Sequence, residues 1–322
     1  MPGIRTVAGT LSILVGLAAA AALPAQPYPA RSVRLVVPFS PGSGSDSIGR
    51  ILARGLTHAF GQQVVVDNRA GAAGNIGAEL AARAPPDGYT VLLVNMGHAA
   101  NVLLYKNLGY DLRRDFAPVT QVVSSPAVVV VHPSMLAKSL PELIELARGR
   151  PGDIAYCSEG IGTPGFLAGE LFKHHARVKL LHIPYRSGAE AITAVLTGEV
   201  SVYFAPMANA LPNIRQGKLR PLAVTSSKRL AVLPEYPTVA EFGYPGYQAG
   251  NWYGLAVPAK TQTEIIASIR GATLNALRMP ETSKALGDLG YVTVGDEPEE
   301  FAAHIQSEID KLKRILKQIR AQ

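Results

Sequence analysis

Cysteine is almost absent: Cys157 is the only one in 322 residues. A chain with one thiol holds its fold by packing and not by a disulfide framework. Cys157, inside a strand-like run, reads as a small buried apolar residue. There is no H-E-x-x-H, no paired C-x-x-C and no acidic metal loop, so the sequence offers no metal or cofactor site. His174 and His175 are adjacent and diverge by about 100° on a helix, a poor metal pair. Charged residues make up 17% and aromatics 7%. No dense Lys and Arg run interleaves with aromatics, so the net charge of +7 suits an anionic small ligand or membrane surface and does not point to nucleic acid. Long apolar runs are also missing, with one exception. Leu11 to Ala22 follows Arg5 and leads to small residues ending at Ala25, which reads as a secretory signal peptide over residues 1–25. The mature protein is therefore expected not to span a membrane.

What remains is an alternation of short apolar runs with amphipathic stretches, the mark of an α/β protein with largely parallel sheets. Strand-like runs begin at Val33, Val64, Val91, Ala127, Ile154, Leu180, Val200 and Leu219, and helical patterns fall between and after them. Two stretches break the rhythm. One is the extended run Phe116 to Ser125, and the other is the aromatic, Gly-rich segment Tyr244 to Gly254. If the chain crosses between lobes there, residues 26–125 and 250–322 form one lobe and 126–249 the other. A small ligand then sits in the cleft between them. The C-terminal helix carries Phe301, Ile305, Ile309, Leu312, Leu316 and Ile319 on one face, which reads as core packing beside a basic, solvated end.

Gly-rich turns after strands carry the functional signal. Pro41, Gly42, Ser43, Gly44, Ser45 and Asp46 follow the first strand and precede a helix, whose free N–H groups and positive dipole end favour an anion. The turn lacks the third glycine of a dinucleotide fingerprint, the lysine of a Walker loop and the flanking glycines of a nucleophile elbow. It suits a small carboxylate, or it is a capping turn without a ligand. Ser158-Glu159-Gly160-Ile161-Gly162-Thr163 repeats the arrangement ahead of Pro164, with Thr163 as N-cap. A third turn, Gly71 to Asn75, offers fewer donors and reads as packing. Single residues at strand ends add His98 as a donor or a buried capping group, Tyr185 as a hydroxyl or ring wall, and Arg186 as a carboxylate clamp or a surface arginine. Trp252 is either hinge packing or a ligand wall.

Five segments together resemble the Bug-type substrate-binding receptors of tripartite tricarboxylate transporters, over nearly the whole mature chain. They are VPFSPGSGSDSIGR from Val37, VDNRAGAAGNIGAELAARAPPDGYTVLL from Val66, YCSEGIGTPGFLAGELF from Tyr156, HIPYRSGAEAITAVLTGEVSVYF from His182 and LPEYPTVAEFGYPGY from Leu233. The resemblance implies a two-lobed periplasmic binding protein of type II, a Venus flytrap that closes on a small carboxylate through main-chain N–H groups and bridging water. It implies delivery to membrane permease subunits, no catalysis, and a monomeric receptor in the periplasm. By position the implied contacts are Pro41, Gly42, Gly44 and Asp46 in one lobe and Ser158, Gly160, Gly162 and Thr163 in the other. Three places depart from the family pattern. Ser43 replaces a glycine and adds a hydroxyl that could reach the ligand, Phe166 stands where a histidine is common, and Arg186-Ser187 replace lysine and glycine. Two rival readings are a sensor that signals occupancy to a membrane partner and a periplasmic hydrolase or lyase using His98 or Cys157.

Overall fold

The computed structural model describes residues 28–319, with side chains to residue 317; the expected signal peptide lies outside the described residues. The chain opens with β1 (Val33–Val37), α1 (Gly44–Phe60), β2 (Val64–Asn68), α2 (Asn75–Ala82), β3 (Thr90–Asn95) and α3 (Met96–Leu104). β1 pairs in parallel with β2 on one side and β3 on the other. A strand covered on both faces needs no polar alternation, which is why VRLVV is nearly all apolar. On α1, Ile48, Ile51, Leu52 and Leu56 turn to the core while Arg50 and Arg54 turn out.

β4 (Phe116–Val131) is a single strand of 16 residues that serves two sheets. The following elements are α4 (Leu140–Gly149), β5 (Ala155–Ser158), α5 (Pro164–Ala176), β6 (Leu181–Pro184), α6 (Gly188–Leu196), β7 (Val202–Pro206), α7 (Met207–Arg215) and β8 (Arg220–Val224). β9 (Gly250–Pro258) then returns alongside β4, before α8 (Thr263–Arg278), α9 (Pro280–Asp288), β10 (Val292–Thr293) and α10 (Pro298–Ile319). The first part of β4 pairs with β9 and β10, and Ala127–Val131 pairs with β7 and β8. The strand order is β2-β1-β3-β9-β4-β7-β5-β6, with β8 and β10 also on β4.

The sheets are mixed, not mainly parallel as the sequence pattern suggests. The helical crossovers make β1, β2, β3 and β5, β6, β7 parallel. β4 carries the chain out of the first half and β9 brings it back, so these two strands run antiparallel to each other. Pro126 faces Gly250 where they enter the second half. A side chain on Gly250 would begin 2.5 Å from the Ser125 carbonyl oxygen, so only glycine permits this approach. The buried Thr225 hydroxyl fastens the same point, lying 2.9 Å from Ala127 O and 2.7 Å from Ala249 O.

α10 ties the halves together. Phe301, Ile305, Ile309, Leu312 and Ile315 are buried in one cluster with Met96 and Ala99 of α3 and with Leu167 and Leu171 of α5. Fully burying each large side chain is worth about 1.5–3 kcal/mol. Ile315 takes the inward place that the sequence pattern gives to Leu316, because a 3.6-residue period drifts off a strict four-residue step; Ile319's side chain lies outside the described residues. α3 and α9 are the helices that the sequence pattern does not disclose. The apolar residues of MGHAANVLL surround the helix, so they form no stripe.

Candidate functional site

Ser43 ends the first loop as N-cap of α1, and its Oγ accepts the Asp46 N–H at 3.2 Å. Asp46 is buried and fully engaged. Its carboxylate accepts from Gly42 N at 2.8 Å, from Arg50 Nε at 3.0 Å and from Asn68 Nδ2 at 2.9 Å. Burial alone would raise this carboxyl, but the Arg50 guanidinium, the Gly42 N–H and the Asn68 amide outweigh it and hold it below the usual range. Asp46 therefore builds the loop and does not present a free charge. The amides of Gly44 and Ser45, at the open end of α1, are left as donors. Pro41 forms the exposed outer corner of the loop.

Two tyrosines close over these amides. Tyr253, from β9, places its hydroxyl beside the Ser45 and Asn251 side chains, and burial pushes it above its ordinary value. The Tyr291 hydroxyl lies 3.2 Å from where a Cβ on Gly44 would be. Both phenols stay protonated at neutral pH and can donate to an anion. Neither lies in a recognisable sequence motif. The readable signal was the alternation of β9, in which Asn251 and Tyr253 face one way and Trp252 the other. Trp252 packs edge-on against Phe301 and His304, each at 5.5 Å, and also lines a small cavity beside Asn251.

The second loop is built differently. Gly160 and Gly162 have φ of 115° and 85°, the left-handed side that glycine favours. They hold Ile161 outward, 74% exposed. The Ser158 hydroxyl lies 2.7 Å from His182 Nε2 and accepts the Gly160 N–H at 3.1 Å. Burial pushes His182 below its ordinary value. Thr163 caps α5 and donates its hydroxyl to Gly160 O at 2.7 Å. Phe166, at the position where the family pattern has histidine, is buried and packs on the His182 ring with centroids 4.8 Å apart. Glu159 turns away from the loop tip: it accepts from the Tyr203 hydroxyl at 2.5 Å, and its other oxygen is buried against Gly165 in the first turn of α5.

A short chain of contacts joins the two loops. Tyr253 neighbours Asn251, whose Oδ1 accepts from Met96 N at the start of α3 at 3.3 Å. Met96 in turn lines a small cavity together with Gly250 and Pro164, the first residue of α5. At the far end of α3, Leu104 Cδ1 lies 3.7 Å from where a Cβ on Gly162 would be. The starts of α1, α3 and α5 thus gather around the β4–β9 crossing. The α3 amides of Met96 and Gly97 are taken by Asn251 and Asn95, so the free N–H groups that suit an acceptor-only ligand are those of Gly44 and Ser45 at the start of α1.

Other expected contacts lie elsewhere. His98 is fully buried; its Nδ1 lies 3.2 Å from Asn95 N and completes a capping box at the start of α3, while Nε2 packs against Gly74 and Phe39. Burial pushes it down to about 4, so it is neutral and enclosed, the capping role of the two considered from sequence. The Tyr185 hydroxyl donates to Glu199 at 2.9 Å, although its backbone N–H reaches Ser158 O. Arg186 is exposed, and its backbone N–H donates to Glu190 at 3.1 Å. Cys157 is fully buried, and burial followed by Glu159 pushes its thiol up to about 12, so at neutral pH it is no thiolate nucleophile. Among the described residues, no group of three or more His, Cys, Asp or Glu is placed to hold a metal, and no helix is long and apolar enough to cross a membrane.

Known proteins share this architecture. BugT of Bordetella pertussis is 34% identical over 320 residues, covering 99% of this chain and 98% of its own. An R. palustris protein solved with adipate is 35% identical with a TM-score of 0.75, covering 90% of this chain and 97% of its own. MatC from Rhodopseudomonas palustris with bound malate is 28% identical with a TM-score of 0.72, covering 89% and 99%. The family model described as tripartite tricarboxylate transporter family receptor matches residues 48–321, and the chain belongs to that family of substrate-binding receptors.

Proposed function

We propose that this chain is an extracytoplasmic receptor that closes on a small dicarboxylate and hands it to the membrane permease of a tripartite transporter. The observation that carries the ligand class is the gathering of helix starts: the α1 amides of Gly44 and Ser45 with the Tyr253 and Tyr291 hydroxyls on one side, and the glycine-built start of α5 on the other. Such a set donates hydrogen bonds without a fixed positive charge, which fits a carboxylate held by directed N–H and O–H groups. Relatives solved with adipate and with malate make aliphatic dicarboxylates the first class to test. On this reading residues 26–125 with 250–322 form one lobe and 126–249 the other, with the crossing at Pro126 and Gly250. Export through residues 1–25 brings the receptor to the periplasm, where it acts as a monomer.

Thermal denaturation against a panel of C4 to C8 dicarboxylates and aromatic carboxylates tests the reading. A ligand at a hundred times its dissociation constant adds about 2.7 kcal/mol, visible as a rise in Tm. No rise with any acid in the panel refutes it. Turnover of a bound acid, lost in His98→Ala while the fold persists, would favour the enzymatic rival instead.

A further inference from the structure

A groove of about 470 Å³ opens beside Tyr291, and its lining includes no residue of either loop. Its walls come from both sides of the crossing: Ser283, Tyr291 and Val292 on one side, Ser226, Lys228 and Leu230 on the other. The charged residues that line it are Lys228 and Arg229, both cations. Glu241 neutralises Arg229 through contacts that include one of 2.6 Å, whereas Lys228 has no ion-pair partner among the described residues. The apolar surface is equally specific. Val292 is 41% exposed and Leu230 is buried beneath the groove. The cavity is within the ordinary range for a small-molecule site, and one unneutralised ammonium beside apolar walls complements a carboxylate borne on a compact apolar body.

We propose that this groove is a second organic-anion site, beside the cleft between the loops and bordered like it by Tyr291, that takes an aromatic or branched carboxylate with its charge at Lys228 and its body between Leu230 and Val292.

The probe is 4-iodobenzoate, titrated calorimetrically into the full mature chain. Binding is expected to weaken at least tenfold in Lys228→Glu and in Val292→Asp, both exposed positions where the fold should persist, and to weaken with added salt. In crystals grown with the probe, the iodine's anomalous signal is expected between Leu230 and Val292. Equal affinity in both variants, an iodine position at Gly44 or Gly162, or binding at crystal concentration only would each overturn the proposal. Thermal shifts with adipate and malate, read in the same variants, keep the two readings apart. If wild type responds to no dicarboxylate, the cleft reading fails while the groove result stands on the probe alone.

Discussion

The two loops do the same geometric job, ending a strand and opening a helix, but different forces hold them. The first is fastened from behind by one buried carboxylate that gathers Gly42, Arg50 and Asn68. The second has no such centre; hydroxyls of Ser158 and Thr163 tie it to Gly160 O, and two glycines with positive φ set its path. A carboxylate network resists displacement, because moving it leaves the buried Asp46 carboxylate without its three donors. A glycine path with an exposed Ile161 at its tip resists little, and its shape depends on backbone freedom. The first loop is accordingly the rigid one, and the second is the part able to adjust.

Removing Asp46 should break this contrast most severely. Asp46→Ala takes the partner from the Gly42 N–H, leaves the Asn68 amide only its bond to Phe39 O, and releases Arg50. Because Arg50 is half exposed, the expected cost is about 2–4 kcal/mol and not the full penalty of a buried pair. Urea denaturation at neutral pH measures it. A loss below about 1 kcal/mol would mean that the loop is held by its neighbours and not by the carboxylate.

Acid should act on the first half for two reasons. Asp46 has a folded pKa below its unfolded value, so its contribution is complete above about pH 4 and fades as pH falls through the folded value. His98 is depressed to about 4, against an unfolded value near 6.5, so the unfolded chain binds the extra proton in between. Its contribution is therefore full above about pH 6.5 and is lost on the way down to pH 4, about 3 kcal/mol at about 1.4 kcal/mol per pH unit. His98→Gln is expected to flatten stability against pH over that window, leaving the smaller slopes of His175, His182 and His304, which burial also lowers. An unchanged slope would show that His98 is not enclosed in solution.

Much of this contrast is legible in the sequence, and the gaps have physical causes. Gly42 and Gly44, Gly160 and Gly162, the N-caps Ser43 and Thr163, and Pro164 at the first position of α5 are local signals, and local signals survive without tertiary knowledge. The Phe116 stretch stands out because a strand shared between two sheets shows no amphipathic rhythm, and the Gly250 stretch because glycines and aromatics interrupt the alternation. Tyr253 and Tyr291 were not readable as partners of the first loop, since their meeting at Gly44 depends on β9 and the chain after α9 returning to α1 from more than 200 residues away. His98 looked available because it follows a strand end, but a helix starting at Met96 turned it inward. Tyr185 and Arg186 follow a strand in the same way, yet the tyrosine hydroxyl is taken by Glu199.

Single glycines sharpen the comparison at a smaller scale. Gly160→Ala places a Cβ whose nearest neighbour is Tyr185 O at 3.8 Å, so there is no clash, but φ of 115° is strained for alanine. The expected cost is about 1–3 kcal/mol, with weaker ligand binding because the second loop must take another path. Gly44→Ala is the counterpart in the first loop. It needs no positive φ and adds helix propensity, so stability should hold or rise slightly, while its Cβ crowds the Tyr291 hydroxyl at 3.2 Å and lowers affinity. Equilibrium unfolding and ligand titration of the pair separate the two effects. Equal stability losses would refute the distinction between the loops.

The smallest effect is expected at Ser43. Its hydroxyl is a candidate ligand contact on sequence grounds, because the family pattern has glycine there. In the structure that Oγ accepts the Asp46 N–H as the cap of α1. Glycine is itself tolerated at an N-cap, so Ser43→Gly should cost only a few tenths of a kcal/mol, and Ser43→Ala about 1 kcal/mol. Because a hydroxyl that accepts from the cap still has a proton to donate, ligand ranking is the deciding measurement. If capping is its whole role, the order of affinities across the acid panel stays the same in Ser43→Gly, and only the midpoint of unfolding moves. A reordered panel at unchanged stability would return the hydroxyl to the ligand and make the first loop a reader of the acid.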